Sequence, residues 1–123
     1  MSIFRRSRNG PGRVSVQEAA ARSGHEGDAT LLDVRAAYEW QTGHAPRAVH
    51  LPLSALAAGA GLPAHAQARP LVVICRSGNR SRQAAELLAA RGVDAVDVIG
   101  GMKEWASAGL PAADGRGGNC TVA

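Results

Sequence analysis

Aromatic side chains are almost missing from this 123-residue chain, which has two tryptophans, one tyrosine and one phenylalanine. Its formal charge of +4 invites a nucleic-acid reading. Single strands, however, are held on aromatic stacking platforms, and no recognised binding motif accompanies the charge, so no nucleic-acid partner is expected. Cysteine is equally scarce. Cys75 and Cys120 stand in unlike contexts and make no disulfide framework, which fits a reducing, cytoplasmic setting. No spacing of Cys, His, Asp and Glu suggests zinc, so no metal is expected. Apolar runs long enough to span a bilayer are absent too, which predicts a soluble protein without a membrane partner. The opening Met1-Ser2-Ile3-Phe4-Arg5-Arg6 carries charge but no apolar segment after it, and Asn9-Gly10-Pro11-Gly12 breaks any helix, so secretion is not signalled.

What is present is arginine: thirteen of them, with one lysine, against ten acids. Arg5, Arg6, Arg8 and Arg13 gather near the N-terminus and read as a solvated, mobile arm, with residues 1–11 as the flexible basic segment. The 46% hydrophobic content supports one domain with a modest core, here residues 12–112. A Gly-rich stretch, 113–123, reads as a flexible tail. It carries Cys120, taken as an incidental thiol; the sharper alternative has it reach Cys75 and resolve it.

The pattern predicts alternating strands and helices. Val14 starts a short strand, and Ser15 with Glu18 forms a capping box for a helix ending near Ser23-Gly24. Thr30 to Val34, Ala48 to Leu51, Leu71 to Ile74 and Val93 to Ile99 read as strands. Helices are expected over Ala36 to Thr42, from a Ser54 cap through Ala58, after residue 80 with Ala84, Leu87, Leu88 and Arg91 on one face, and over Met102 to Ala108. The class is therefore α/β, a small parallel sheet flanked by helices on both faces, with ligands at the carboxyl ends of the strands.

One such end reads Cys75-Arg76-Ser77-Gly78-Asn79-Arg80, between a buried strand and a helix. Ser77, Gly78 and Asn79 allow a tight turn, and the following helix directs its unpaired amides into the loop. Amides, the helix N-terminus and the Arg76 and Arg80 guanidinium groups together favour a thiolate, so Cys75 is the candidate nucleophile. Burial as an inert thiol is argued against by the two arginines, which apolar surroundings would leave without partners.

These residues resemble the rhodanese sulfurtransferases, and three further segments match in order. They are Leu31-Leu32-Asp33-Val34-Arg35 followed by Glu39-Trp40, then Gly43-His44-Ala45-Pro46-Arg47-Ala48-Val49-His50-Leu51-Pro52, then Gly100-Gly101-Met102 with Trp105 and Gly109-Leu110-Pro111. The resemblance implies a rhodanese-like fold and a sulfurtransferase that needs no cofactor. Cys75 would carry a persulfide. Arg76, Ser77, Gly78, Asn79, Arg80 and Ser81 would bind a small sulfur-containing anion such as thiosulfate, and cyanide or a small or protein thiol would accept the sulfur. Asp33 and Arg35 would buttress the loop. Related phosphatases and arsenate reductases place one residue more between cysteine and arginine, so the shorter loop here points to sulfur rather than phosphate. The alternative within the resemblance is a non-catalytic sulfur-relay or regulatory protein-binding module.

His44 and His50 are read as structural hydrogen-bonding groups, and His25 and His65 as loop residues without signal. Trp105 and Met102 are read as core. Trp40 is left without a role.

Overall fold

The computed structural model describes residues 6–7, 10–24, 26–67 and 70–113. Arg5, Arg8, His25 and Cys120, all singled out above, lie outside them. Strands β1 (Arg6–Ser7) and β2 (Gly10–Pro11) pair antiparallel. The body then runs β3 (Arg13–Val14), α1 (Val16–Ser23), β4 (Thr30–Asp33), α2 (Ala37–Thr42), β5 (Val49–His50), α3 (Leu53–Ala57), a 3₁₀ turn (Ala64–Ala66), β6 (Leu71–Ile74), α4 (Asn79–Ala90), β7 (Ala95–Val98) and α5 (Gly101–Ser107). No described helix is long and apolar enough to cross a membrane.

Five strands form one parallel sheet in the order β3-β7-β6-β4-β5. Parallel strands covered on both faces need apolar side chains on both, and β4, β6 and β7 are buried at every position. Two apolar clusters result. Val16, Ala19, Met102 and Trp105 of α1 and α5 pack on one face with Leu31, Val72 and Val98. Leu56, Ala84, Ala85 and Leu88 of α3 and α4 pack on the other with Leu32, Val73 and Cys75.

Local chemistry sets most element ends. The Ser15 hydroxyl accepts from the Glu18 amide at 3.1 Å and starts α1. Pro52, not Ser54, precedes α3, because its fixed φ suits a helix start and the next amide, that of Leu53, is taken by the Val34 carbonyl. Gly43 leaves α2 in extended backbone. The buried face of α4 is Ser81, Ala84, Ala85 and Leu88, whereas Leu87 is 36% exposed. The helix is therefore rolled toward Ser81, and Arg91 reaches out to the carbonyls of Leu56 and Ala60. After α5 the chain returns to β-pair Ala113 with His44. Trp105 is buried as expected and donates its ring N–H to the Pro111 carbonyl.

Candidate active site

β6 is the middle strand of the sheet and delivers Cys75 to its carboxyl edge, directly before α4. The side chain is only 1% exposed. Its Sγ accepts the Gly78 amide at 3.1 Å and lies 3.4 Å from the Ser81 hydroxyl. Helix α4 begins at Asn79, so Arg80 and Ser81 belong to its first turn rather than to a free loop. Gly78 caps that turn with φ +110, and a Cβ there would sit 3.1 Å from Arg13 Nη2. Glycine is thus favoured by conformation, and a Cβ would also require the Arg13 side chain to give by a few tenths of an ångström.

The Gly100-Gly101 signature acts on the same loop from the next element. Backbone amides of Met102 and Lys103 donate to the carbonyls of Cys75 and Arg76 at 2.7 and 3.0 Å. Each trans peptide then turns the N–H groups of Arg76 and Ser77 away from α5. This clasp needs close approach: a Cβ on Gly101, whose φ is +58, would stand 2.3 Å from the Cys75 carbonyl oxygen.

Three ion pairs surround the loop. Arg80 binds Glu39 of α2 through two bonds of 2.6 and 2.9 Å. The Arg80 hydrogen bond holds the Glu39 carboxyl down at about 2 from its ordinary 4.5, against desolvation and with help from the Ala36 amide and the charges of Arg80 and Arg35. In return the Glu39 hydrogen bond raises the Arg80 guanidinium above its usual range. Arg13 binds Asp97 of β7 at 2.9 and 3.2 Å, and the same carboxylate lies 3.1 Å from the Ser81 hydroxyl. Asp33 and Arg35, both fully buried, bond each other, and Arg35 also donates to the Gly43 carbonyl. That pair braces β4 against the end of α2, and the Arg35 charge is felt at Glu39.

Ser81 has a single hydroxyl proton for two acceptors. When it is given to Asp97, the sulfur donates S–H to the Ser81 oxygen; when the sulfur is a thiolate, the hydroxyl turns to it. Through Ser81 the Arg13–Asp97 pair is thus linked to Cys75.

Several expectations change here. Arg13 is no part of a solvated arm but sits in β3, paired with Asp97. Cys75 is buried although two arginines flank it, because Arg80 finds Glu39. Arg76, Ser77 and Asn79 are exposed on the loop rim. Asp97 went unassigned in the sequence, and Glu39 entered only as part of a matched segment. A carboxylate inside the apolar run Ala95-Val96-Asp97-Val98 was the available signal, since a buried charge demands a partner. Trp40 stacks on His44 with ring centroids 3.5 Å apart and on His50 at 4.8 Å. The two imidazoles bond the carbonyls of Trp40 and Arg35, which is the structural use expected of them.

Comparison with known proteins agrees with this geometry. The rhodanese-like domain family matches residues 15–108. A rhodanese-related protein from Thermoplasma volcanium is similar at 27% identity and TM-score 0.67, over 82% of this chain and 96% of that one. A rhodanese-like domain protein from Staphylococcus aureus is similar at 28% identity and TM-score 0.66, over 76% and 90%. The rhodanese-like domain of an Anabaena protein shares the fold at 24% identity and TM-score 0.70, over 83% and 78%. With the matched span covering most of its length and the loop, clasp and parallel sheet in place, the chain belongs to the rhodanese-like domain family.

Proposed function

We propose that the protein is a sulfurtransferase that carries sulfane sulfur as a persulfide on Cys75. The observation that supports this most is the setting of Sγ: it ends the central strand inside a tight loop, with the Gly78 amide at 3.1 Å and the Ser81 hydroxyl at 3.4 Å. Both groups can donate to anionic sulfur, the Ser81 hydroxyl after turning from Asp97, and the Gly78 amide, already aimed at the sulfur, costs no reorganisation during the reaction. In the first half-reaction the Cys75 thiolate attacks the outer sulfur of a donor such as thiosulfate. A sulfur–sulfur bond forms to the enzyme, the donor's own sulfur–sulfur bond breaks, and its electron pair leaves with sulfite. In the second, cyanide or a small or protein thiol removes the outer sulfur and returns the thiolate, so ping-pong kinetics are expected.

Arg76, on the exposed rim, supplies attraction for an anionic donor. Arg80 is placed differently: bound at both ends to Glu39, it fixes the first turn of α4 and with it the Gly78 and Ser81 donors. The test is intact-protein mass after incubation with thiosulfate. A gain of one sulfur, about 32 daltons, that disappears with reductant and in Cys75→Ser is the expected result. A gain that persists in Cys75→Ser places the sulfur elsewhere and ends the assignment.

A further inference from the structure

Asp97 is the only acid of β7, and β3 supplies its partner. Arg13 Nε and Nη2 donate to its Oδ1 and Oδ2 at 2.9 and 3.2 Å, so both carboxylate oxygens are engaged by one guanidinium. Oδ2 also stands 3.1 Å from Ser81 Oγ, which lies 3.4 Å from Cys75 Sγ. Asp97 and Ser81 are buried, and Arg13 ends the row toward solvent with its side chain about one-third exposed. The same guanidinium lies over the loop, since its Nη2 would be 3.1 Å from a Cβ on Gly78, the residue whose amide donates to the sulfur.

One hydroxyl proton cannot serve the carboxylate and the sulfur together. How freely it turns from Asp97 depends on what else Asp97 holds. With both bonds from Arg13 in place, the carboxylate keeps a charge-assisted partner when the hydroxyl leaves it. Without Arg13 it would be a buried charge whose remaining side-chain donor among the described residues is Ser81, and losing that donor would leave the ion unpaired. Resting on the sulfurtransferase reading, we propose that Arg13 is a positioning residue for the sulfur chemistry: by binding Asp97 it releases the Ser81 hydroxyl to the Cys75 thiolate, which begins the first half-reaction and is returned by the second. Its bonds go to Asp97, so it acts on the sulfur through two other side chains. No proton changes hands in this turn; the hydroxyl rotates from one acceptor to the other.

The quantity to measure is the pH at which the Cys75 thiolate forms, read from its ultraviolet absorbance with the matching Cys75→Ser protein subtracted. It needs no sulfur donor. Other charged groups surround Cys75: Arg76 beside it, Arg80 of α4 with Glu39 of α2, the Asp33–Arg35 pair at the end of β4, and Lys103 and Glu104 of α5. They are the same in every protein compared.

Arg13→Gln should raise that pH by about 1, the scale of one hydrogen bond to a charged group. A direct field from Arg13 would act equally with or without the hydroxyl, whereas an effect routed through Ser81 must shrink when the hydroxyl is gone. The rise should therefore fall to less than half when Arg13→Gln is made in Ser81→Ala. A rise that keeps half or more of its size there overturns the proposal, as does no rise in Arg13→Gln alone. If Arg13→Gln does not fold, Asp97→Asn carries the test with the sign reversed, because its amide can donate to the Ser81 oxygen and leave the hydroxyl to the sulfur. The pH of thiolate formation should then fall, and by more with Ser81 present than with alanine there; an equal fall overturns the proposal. If these pH values move as expected and no donor loads Cys75, the role of Arg13 stands and it is the sulfurtransferase reading that fails.

Discussion

The loop from Cys75 to Ser81 has an exposed half and a buried half. Arg76, Ser77 and Asn79 face solvent, whereas Cys75, Gly78 and Ser81 are enclosed. Of the exposed half only Arg76 is held from a distant element, through its carbonyl by the Lys103 amide, and the three side chains are left to solvent. Each buried member is held from afar: Cys75 through its carbonyl by the Met102 amide, Gly78 by the space that Arg13 and Gly100 leave, Ser81 by Asp97. Substitutions on the rim should therefore alter encounter with the donor, while those beneath it should alter the loop itself. Arg80 belongs to neither half. It is half-buried and ties α4 to α2 through Glu39, joining two elements that the sheet alone would not connect.

The largest effect that separates the halves is expected at Gly101, which lies outside the loop. Gly101→Ala brings a methyl group into the Cys75 carbonyl, where a Cβ would be 2.3 Å away, and must push α5 or the loop aside. Urea unfolding should show a loss of about 3 kcal/mol or more, the range of core overpacking and strained backbone, and sulfur loading should fall with it. Stability within about 0.5 kcal/mol of wild type would mean that the clasp yields without cost and that the buried half is not held from α5.

Ser81→Ala sharpens the comparison within the buried half, because it removes one hydroxyl and no packing volume to speak of. The rate of Cys75 persulfide formation should fall about 10- to 100-fold, less than when a fixed donor is removed from a reacting anion, because this hydroxyl must first turn from Asp97. The fold should lose only about 1 kcal/mol, since Asp97 keeps Arg13. Ser81→Thr, which retains the hydroxyl, should recover most of the rate. A Thr variant as slow as the Ala variant would trace the effect to space rather than to the hydrogen bond.

The smallest effect concerns the bridge between the halves. Glu39 titrates at about 2 when folded and near its ordinary 4.5 when unfolded. A depressed carboxyl contributes stability that is complete above about pH 4.5 and is lost as pH falls toward 2. Arg80 is one-third exposed, so the contribution should be about 1–2 kcal/mol after solvent screening. The stability gap between wild type and Glu39→Gln should accordingly be full at pH 6, smaller at pH 4 and down to about a quarter at pH 2.5. A gap that stays constant across that range would show that Glu39 acts by packing and by its bond to the Ala36 amide rather than by its charge.

Much of this protein was legible one segment at a time. Ser15 with Glu18 announced α1, the apolar runs announced β4, β6 and β7, and the alternation of strand and helix announced a parallel sheet with Cys75 at its edge. Such features are local: a capping hydroxyl reaches three residues along the chain, and a strand declares itself by its own side chains. The roll of α4 toward Ser81, with Leu87 outside, was not legible, because helical periodicity allows either face until the neighbouring helix and strands choose one. Partner choice was hidden for the same reason. Arg80 could have faced the donor, and Arg13 could have stayed in solvent, until folding brought Glu39 from 41 residues away and Asp97 from 84. Sequence by itself determined the cysteine, its loop and the strands that carry them, since each is written in consecutive residues. Only the tertiary structure decided which charges are spent on one another and which remain for a ligand, because ion pairs form through space and not along the chain.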